Sequence, residues 1–130
     1  VRGSIPRALL IAVVSLLVGL IVIAAQPHRL MTWLHLVFIS GYGLLVLNIA
    51  ARVMLGHSGQ GPLIYARSRA SHWITGLALL AMGTRISADL LPRMQLTHYA
   101  YAALTWIALT VIWLVVYGPL VREAPAGEAT

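Results

Sequence analysis

The side chains with the capacity for cofactor chemistry in this 130-residue chain are its histidines and arginines, five and nine in number. His35 and His57 bracket one long apolar stretch, with Arg52 just over a turn before the second histidine. An unbroken helix rising ~1.5 Å per residue would set the two imidazoles about 33 Å apart. That is close to the thickness of a bilayer's hydrocarbon core. His72 and His98 lie in two further apolar stretches. Cysteine is absent, which excludes disulfides, covalent C-x-x-C-H haem attachment, thiolate copper and Cys-ligated iron–sulfur clusters. Asp89 is the one carboxylate near a hydrophobic run, so a carboxylate pair for acid–base work is missing. No Ser–His–Asp spacing is evident, and a proton or ion pathway would want more intramembrane Asp or Glu.

Two imidazoles facing each other across a bundle suit a six-coordinate b-type haem. Arginines at the same depth suit its propionates through charge-assisted, bidentate bonds. Copper or zinc held by three histidines is the other metal chemistry these residues allow. No H-x-x-H or H-x-x-x-H pair sits on a helix, which counts against a mononuclear site.

The elements that must position these groups follow from composition. Sixty per cent of the chain is hydrophobic and 9% is charged. A soluble domain of this length cannot bury so much apolar surface, so lipid is the solvent for most of it. The net charge of +6 rests on nine basic residues, all arginine, most of which lie between apolar runs. It reads as membrane anchoring, not nucleic-acid binding. Helices are expected over about residues 5–26, 31–55, 70–91 and 95–120, forming a single four-span domain over 1–121 with a polar tail at 122–130. The predicted fold is an all-α integral membrane four-helix bundle, up-down-up-down. Val1 at the start reads as a trimmed or partial product, and the first apolar run is too long for a signal-peptide core.

Within that plan Ser4 and Ser71 are candidate helix caps. Ala8, Ala12, Ser15 and Gly19 form a small-residue stripe for close helix approach. Gly41 and Gly43 thin the second helix where a flat cofactor could lie against it. His72, Gly76 and Gly83 project within about 40° of one another, a face suited to a macrocycle or to helix packing. Asn48 needs a buried partner, and Arg85 has Asp89 one turn on. Arg2, Arg7, Arg52, Arg67, Arg69 and Arg122 fall on the side of the termini and middle loop; Arg29, Arg85 and Arg93 fall on the other. This bias puts both termini in the cytoplasm. The histidines then sort by depth. His35, His98 and Arg85 form an outer cluster, with His35 and His98 as the preferred ligands and Arg85 near a propionate. His57 and His72 form an inner one with Arg52 close by.

The segment HLVFISGYG, His35 to Gly43, together with RVMLGHSG, Arg52 to Gly59, resembles the NnrS family of bacterial membrane proteins. The shared pattern is a histidine on the outer part of a helix, an arginine near its inner end, then L-G-H-[ST]-G. Arg85 followed by Pro92, and the closing Tyr117-Gly118-Pro119-Leu120, continue it more generically, so the likeness covers about residues 31–120, the family's carboxy-terminal helices. The family's basic, Asp-Gly-rich continuation is replaced by REAPAGEAT, and its members are typically longer with more spans.

The resemblance implies haem bound through histidine, copper as a further cofactor, and a role in nitric oxide response. The matching positions are His35, Arg52 and His57. Two functional readings follow. One is an inner-membrane, multi-pass haem protein for gas binding, nitric oxide defence or electron transfer. The other is a cofactor-free accessory subunit packed on a larger membrane complex or on further copies of itself.

Overall fold

The computed structural model describes residues 3–122. Arg2, counted above with the cytoplasmic arginines, and tail residues 123–130 lie outside the described residues. Four helices carry the fold: α1, Ser4–Ala25; α2, Pro27–His57; α3, Arg69–Leu90; and α4, Gln95–Tyr117. Short 3-10 turns occupy Gly61–Tyr65 and Gly118–Arg122. No strand occurs among the described residues. α2 opens at Pro27, through a 3-10 turn, and not at Met31.

α1, α2 and the α4 segment Pro92–Arg122 are each long and apolar enough to cross a membrane. α3 has the length, at 22 residues, and a more polar makeup, with Arg69, His72, Arg85 and Asp89 along it. It packs extensively along α4, and its buried residues include Ile74, Ala78, Ala81 and Ala88. Outward faces are apolar: Leu10, Leu17, Ile21, Val46, Ile107 and Val115 are all more than half exposed. That surface requires lipid around it.

The interior is built from small residues. α1 buries Ser4, Ile5, Ala8, Ala12, Ser15 and Gly19, which includes the stripe read from the sequence. Opposite it α2 changes geometry, with Leu36–Gly43 wound as a π-helix directly after His35. The wider turn carries Val37, Ser40 and Gly41 into contact with α1, and the Ser40 hydroxyl donates to the Leu36 carbonyl at 2.9 Å. Two glycines lower the preference for α-winding here, so π-winding meets little resistance. α2 is therefore continuous but not uniformly α-helical.

Gly41 and Gly43 of α2 are packed against neighbouring helices. A Cβ at Gly41 would sit 3.3 Å from the Leu16 Cα of α1, and one at Gly43 would meet the Trp106 ring at 2.6 Å. Their expected role beside a flat cofactor is thus corrected: a backbone and an indole already occupy those faces. Gly76 and Gly83 are the reverse case, since a Cβ at either meets nothing within 4 Å. They do not mediate helix packing within this chain.

Two capping expectations are also corrected. The α1 N-cap is Gly3, at φ 95°, where a Cβ would lie 2.7 Å from the Tyr65 carbonyl oxygen. Only glycine fits both the backbone and the space. Ser4 is instead the first helical residue, and its hydroxyl accepts the Ser68 N–H at 2.8 Å. Ser68, not Ser71, caps α3, accepting the Ser71 N–H at 3.3 Å. With the Ser4 N–H donating to the Ala66 carbonyl at 3.1 Å, the start of α1 is tied to the loop before α3. The Asn48 amide finds the Leu44 carbonyl at 2.8 Å. Trp113 Nε1 donates across to the Leu47 carbonyl at 2.9 Å, tying α4 to α2.

Gly19→Val places methyls where a Cβ already approaches Val37 Cγ2 at 2.6 Å. It is expected to destabilise the protein by about 1–3 kcal/mol, read as a lower unfolding midpoint in detergent. Gly76→Ala, at an open position, leaves that midpoint unchanged or slightly raised.

Candidate functional site

Polar groups gather at the end of the bundle that holds the α1–α2 and α3–α4 turns. Asp89 is at its centre. This carboxylate, 16% exposed, accepts from Arg85 Nη1 at 2.9 Å through Oδ1. The Tyr99 hydroxyl donates to the same Oδ1 at 3.0 Å from α4, and Gln95 Nε2 donates to the Tyr99 oxygen at 2.6 Å. The other oxygen, Oδ2, stands 3.6 Å from His35 Nδ1 on α2. The guanidinium of Arg85 lies over the Tyr99 ring, 3.8 Å from its centroid. The expected Arg85–Asp89 pair is therefore present, as part of a network joining three helices.

Local sequence explains each placement. Arg85 and Asp89 are one α-helical turn apart, as are Gln95 and Tyr99, so each pair shares a face. His35 ends the first α-helical segment of α2, just before the π-turn. Its Nδ1 also lies 3.3 Å from the Thr32 carbonyl oxygen, one turn back. Both neighbours of Nδ1, a carbonyl and a carboxylate, are acceptors. Both neighbours favour the tautomer with its proton on Nδ1 and its lone pair on Nε2. A ligating histidine is commonly arranged this way, its far nitrogen held by a carbonyl or carboxylate.

His98 is next to Tyr99 on α4 but outside this network. It is half-buried, and its Nδ1 is buried with no hydrogen-bond partner. A cleft of about 370 Å³ opens between α2, α3 and α4, lined by Ile39, Arg85, Tyr99, Ala102, Ala103 and Trp106, with neither His35 nor His98 among its lining residues. Ala102 is one turn after His98 on the same side of α4. The end of the bundle thus offers two imidazoles on different helices, a guanidinium and apolar walls.

At the opposite end the groups are more dispersed. His57, at the end of α2, and Arg52, on the same helix, have exposed side chains. His72 is exposed on the first turn of α3. Its Nδ1 is 2.7 Å from the Ser68 carbonyl oxygen and 3.5 Å from the Ser4 hydroxyl. His72 and Gly76 line a groove of about 290 Å³ against Arg7 and Ile11 of α1. Among the described residues no group of three or more His, Asp or Glu side chains is gathered closely enough to hold a metal ion. A three-histidine copper or zinc site is thus not assembled by these residues; a haem with two axial ligands needs only a pair.

From sequence Asp89 is legible as the lone carboxylate near an apolar run and as the partner of Arg85, while nothing singles out Tyr99. The i,i+4 spacings 85/89 and 95/99 were the available signals. Nothing in the sequence signals that His35 meets Asp89, a contact across 54 positions.

Asp89→Leu strands Arg85 and the Tyr99 hydroxyl. It is expected to destabilise the protein by about 2–3 kcal/mol. Arg85→Met with Asp89→Leu is expected to cost less than the two single changes summed. Unfolding titrations of the three variants in detergent form the double-mutant cycle, and additivity would show the pair to be uncoupled.

Searches of curated proteins and of solved structures return no match for this chain. A sequence model of the family described as NnrS protein matches residues 2–124. That span takes in α1, which the motif-based likeness did not cover, along with the HLVFISGYG and RVMLGHSG segments. The match is nearly as long as the chain itself, and the protein belongs to the NnrS family.

Proposed function

We propose that this NnrS-family membrane protein binds a b-type haem where α2, α3 and α4 converge. His35 and His98 are the axial ligands, and Arg85 is the counter-charge for a propionate. The observation that carries this reading is the buried, unpartnered Nδ1 of His98 at the bundle end that already holds His35 and Arg85. A polar nitrogen left unsatisfied inside a lipid-solvated bundle is costly, and a bound group removes that cost where it contacts Nδ1 itself. Family membership is the second support, through the haem chemistry the resemblance implies.

Bound haem supplies one-electron redox chemistry or, with a weak or open sixth position, gas binding. The chain's own residues do the rest. His35 presents Nε2; Ile39, Ala102 and Trp106 provide apolar walls; Arg85 brings positive charge to the cleft. The role is nitric oxide response or membrane electron transfer, in the plasma membrane of a bacterium, with both termini cytoplasmic by the arginine bias. His57, His72 and Arg52 are the proposed second site, for haem or copper; of these three, His72 alone lines the groove between α1 and α3.

The test is the visible spectrum of protein purified in detergent, before and after haemin is added. A Soret band is expected, with His35→Ala and His98→Ala each changing or abolishing it. No band, and no uptake of haemin, would sink the reading in favour of a cofactor-free subunit. An unchanged spectrum in either variant would remove that histidine from the ligand pair.

A further inference from the structure

We infer that Asp89 is a positioning residue for His35: it fixes the ring's tautomer and rotation so that Nε2 is the nitrogen offered for ligation. The inference deepens the haem reading and rests on it for the identity of what Nε2 would bind.

The argument is atomic. Asp89 divides its two oxygens between different neighbours. Oδ1 takes two donors, Arg85 Nη1 at 2.9 Å and the Tyr99 hydroxyl at 3.0 Å. Those donors hold the carboxylate plane, one from its own helix and one from α4. Oδ2 is then directed at His35 Nδ1, 3.6 Å away on α2. The Thr32 carbonyl oxygen, 3.3 Å from the same nitrogen, is a second acceptor. Two acceptors and no donor around Nδ1 make Nδ1–H the favoured tautomer. Among the described residues Asp89 is the one carboxylate, so no other anion there can take over this role.

The asymmetry of the two oxygens gives the inference a sign. In Asp89→Asn the amide oxygen goes to the Oδ1 side, because Arg85 and Tyr99 both need an acceptor. The amide NH2 then stands where Oδ2 stood, a donor facing Nδ1. That donor opposes Nδ1–H while the Thr32 carbonyl, 3.3 Å away, still favours it, so part of the population moves its proton to Nε2 and loses the ligating lone pair. Asp89→Glu keeps an anion and restores the acceptor. Tyr99→Phe removes one hydroxyl and leaves the carboxylate facing His35, so the tautomer is unchanged.

The experiment is nitrogen-15 NMR of the full-length protein in detergent, labelled at histidine and free of haem, with the His35 signals identified by their loss in His35→Ala. Wild-type protein is expected to show Nδ1 protonated and Nε2 bare. Asp89→Asn is expected to show Nε2 protonated in a substantial part of the population, with Asp89→Glu and Tyr99→Phe as in wild type. Protonated Nε2 in the wild type overturns the inference even if Asp89→Asn fails to fold, and so does an unchanged pattern in a folded Asp89→Asn. With haemin added, Asp89→Asn is expected to lose roughly 10–100-fold in affinity and to raise the midpoint potential, since a less electron-rich imidazole favours ferrous iron. If the tautomer switches as stated and neither protein takes up haemin, the haem reading falls while the positioning role of Asp89 stands.

Discussion

A carboxylate held inside a lipid-solvated bundle is the constraint around which one end of this protein is arranged. An ionised Asp in that setting is costly unless neighbouring groups compensate it. Arg85 supplies the opposite charge from one turn away, and Tyr99 supplies a hydroxyl from the next helix. The remaining oxygen reaches toward His35 on a third helix. One ion pair thus fixes the relative placement of α2, α3 and α4, because displacing any of them removes a partner. It also explains why α3, the least apolar of the four, is retained in the bundle: its polar residues find partners on its neighbours.

The rest of the bundle is held by shape. Apolar side chains gain little by leaving lipid for another helix, so close backbone approach and van der Waals contact decide association. α1 presents a nearly unbroken line of small residues, and α2 meets it with the π-wound turn around Ser40 and Gly41. Gly43 receives the Trp106 ring from α4 in the same way. The π-turn follows His35 directly, so the segment that widens for packing also determines how that histidine enters the bundle. π-turns often mark functional positions, and the site here is built from the residue at its edge.

The two ends differ in kind. Where the helical hairpins turn, charged and polar side chains face one another across helices. At the other end the polar contacts are mostly to backbone: Ser4 to Ser68, Ser68 to Ser71, His72 to the Ser68 carbonyl. Those bonds tie the start of α1 to the loop ahead of α3 and leave His57 and Arg52 exposed. An end organised by backbone bonds is suited to closing a bundle. An end organised by side chains is suited to holding a ligand.

Much was legible in the sequence, for reasons that are local. Apolar run length fixes the number of helices, breakers at Pro27, Gly59–Pro62 and Pro92 fix their ends, and the small-residue stripe on α1 declares a packing face. The motifs HLVFISGYG and RVMLGHSG were enough to point to the family. Spacing also paired Arg85 with Asp89, because both lie on one helix. What spacing could not supply is any relation between helices. Whether a glycine faces a cofactor, a backbone or open space depends on what stands opposite. Gly41, Gly43 and Gly76 read alike in sequence and meet a main chain, an indole and nothing. Likewise the sequence placed two histidines and an arginine at similar depth and an aspartate one turn from that arginine. Only the tertiary structure decided which oxygen of Asp89 turns toward which nitrogen of His35, because that depends on the rotation of three helices about their own axes.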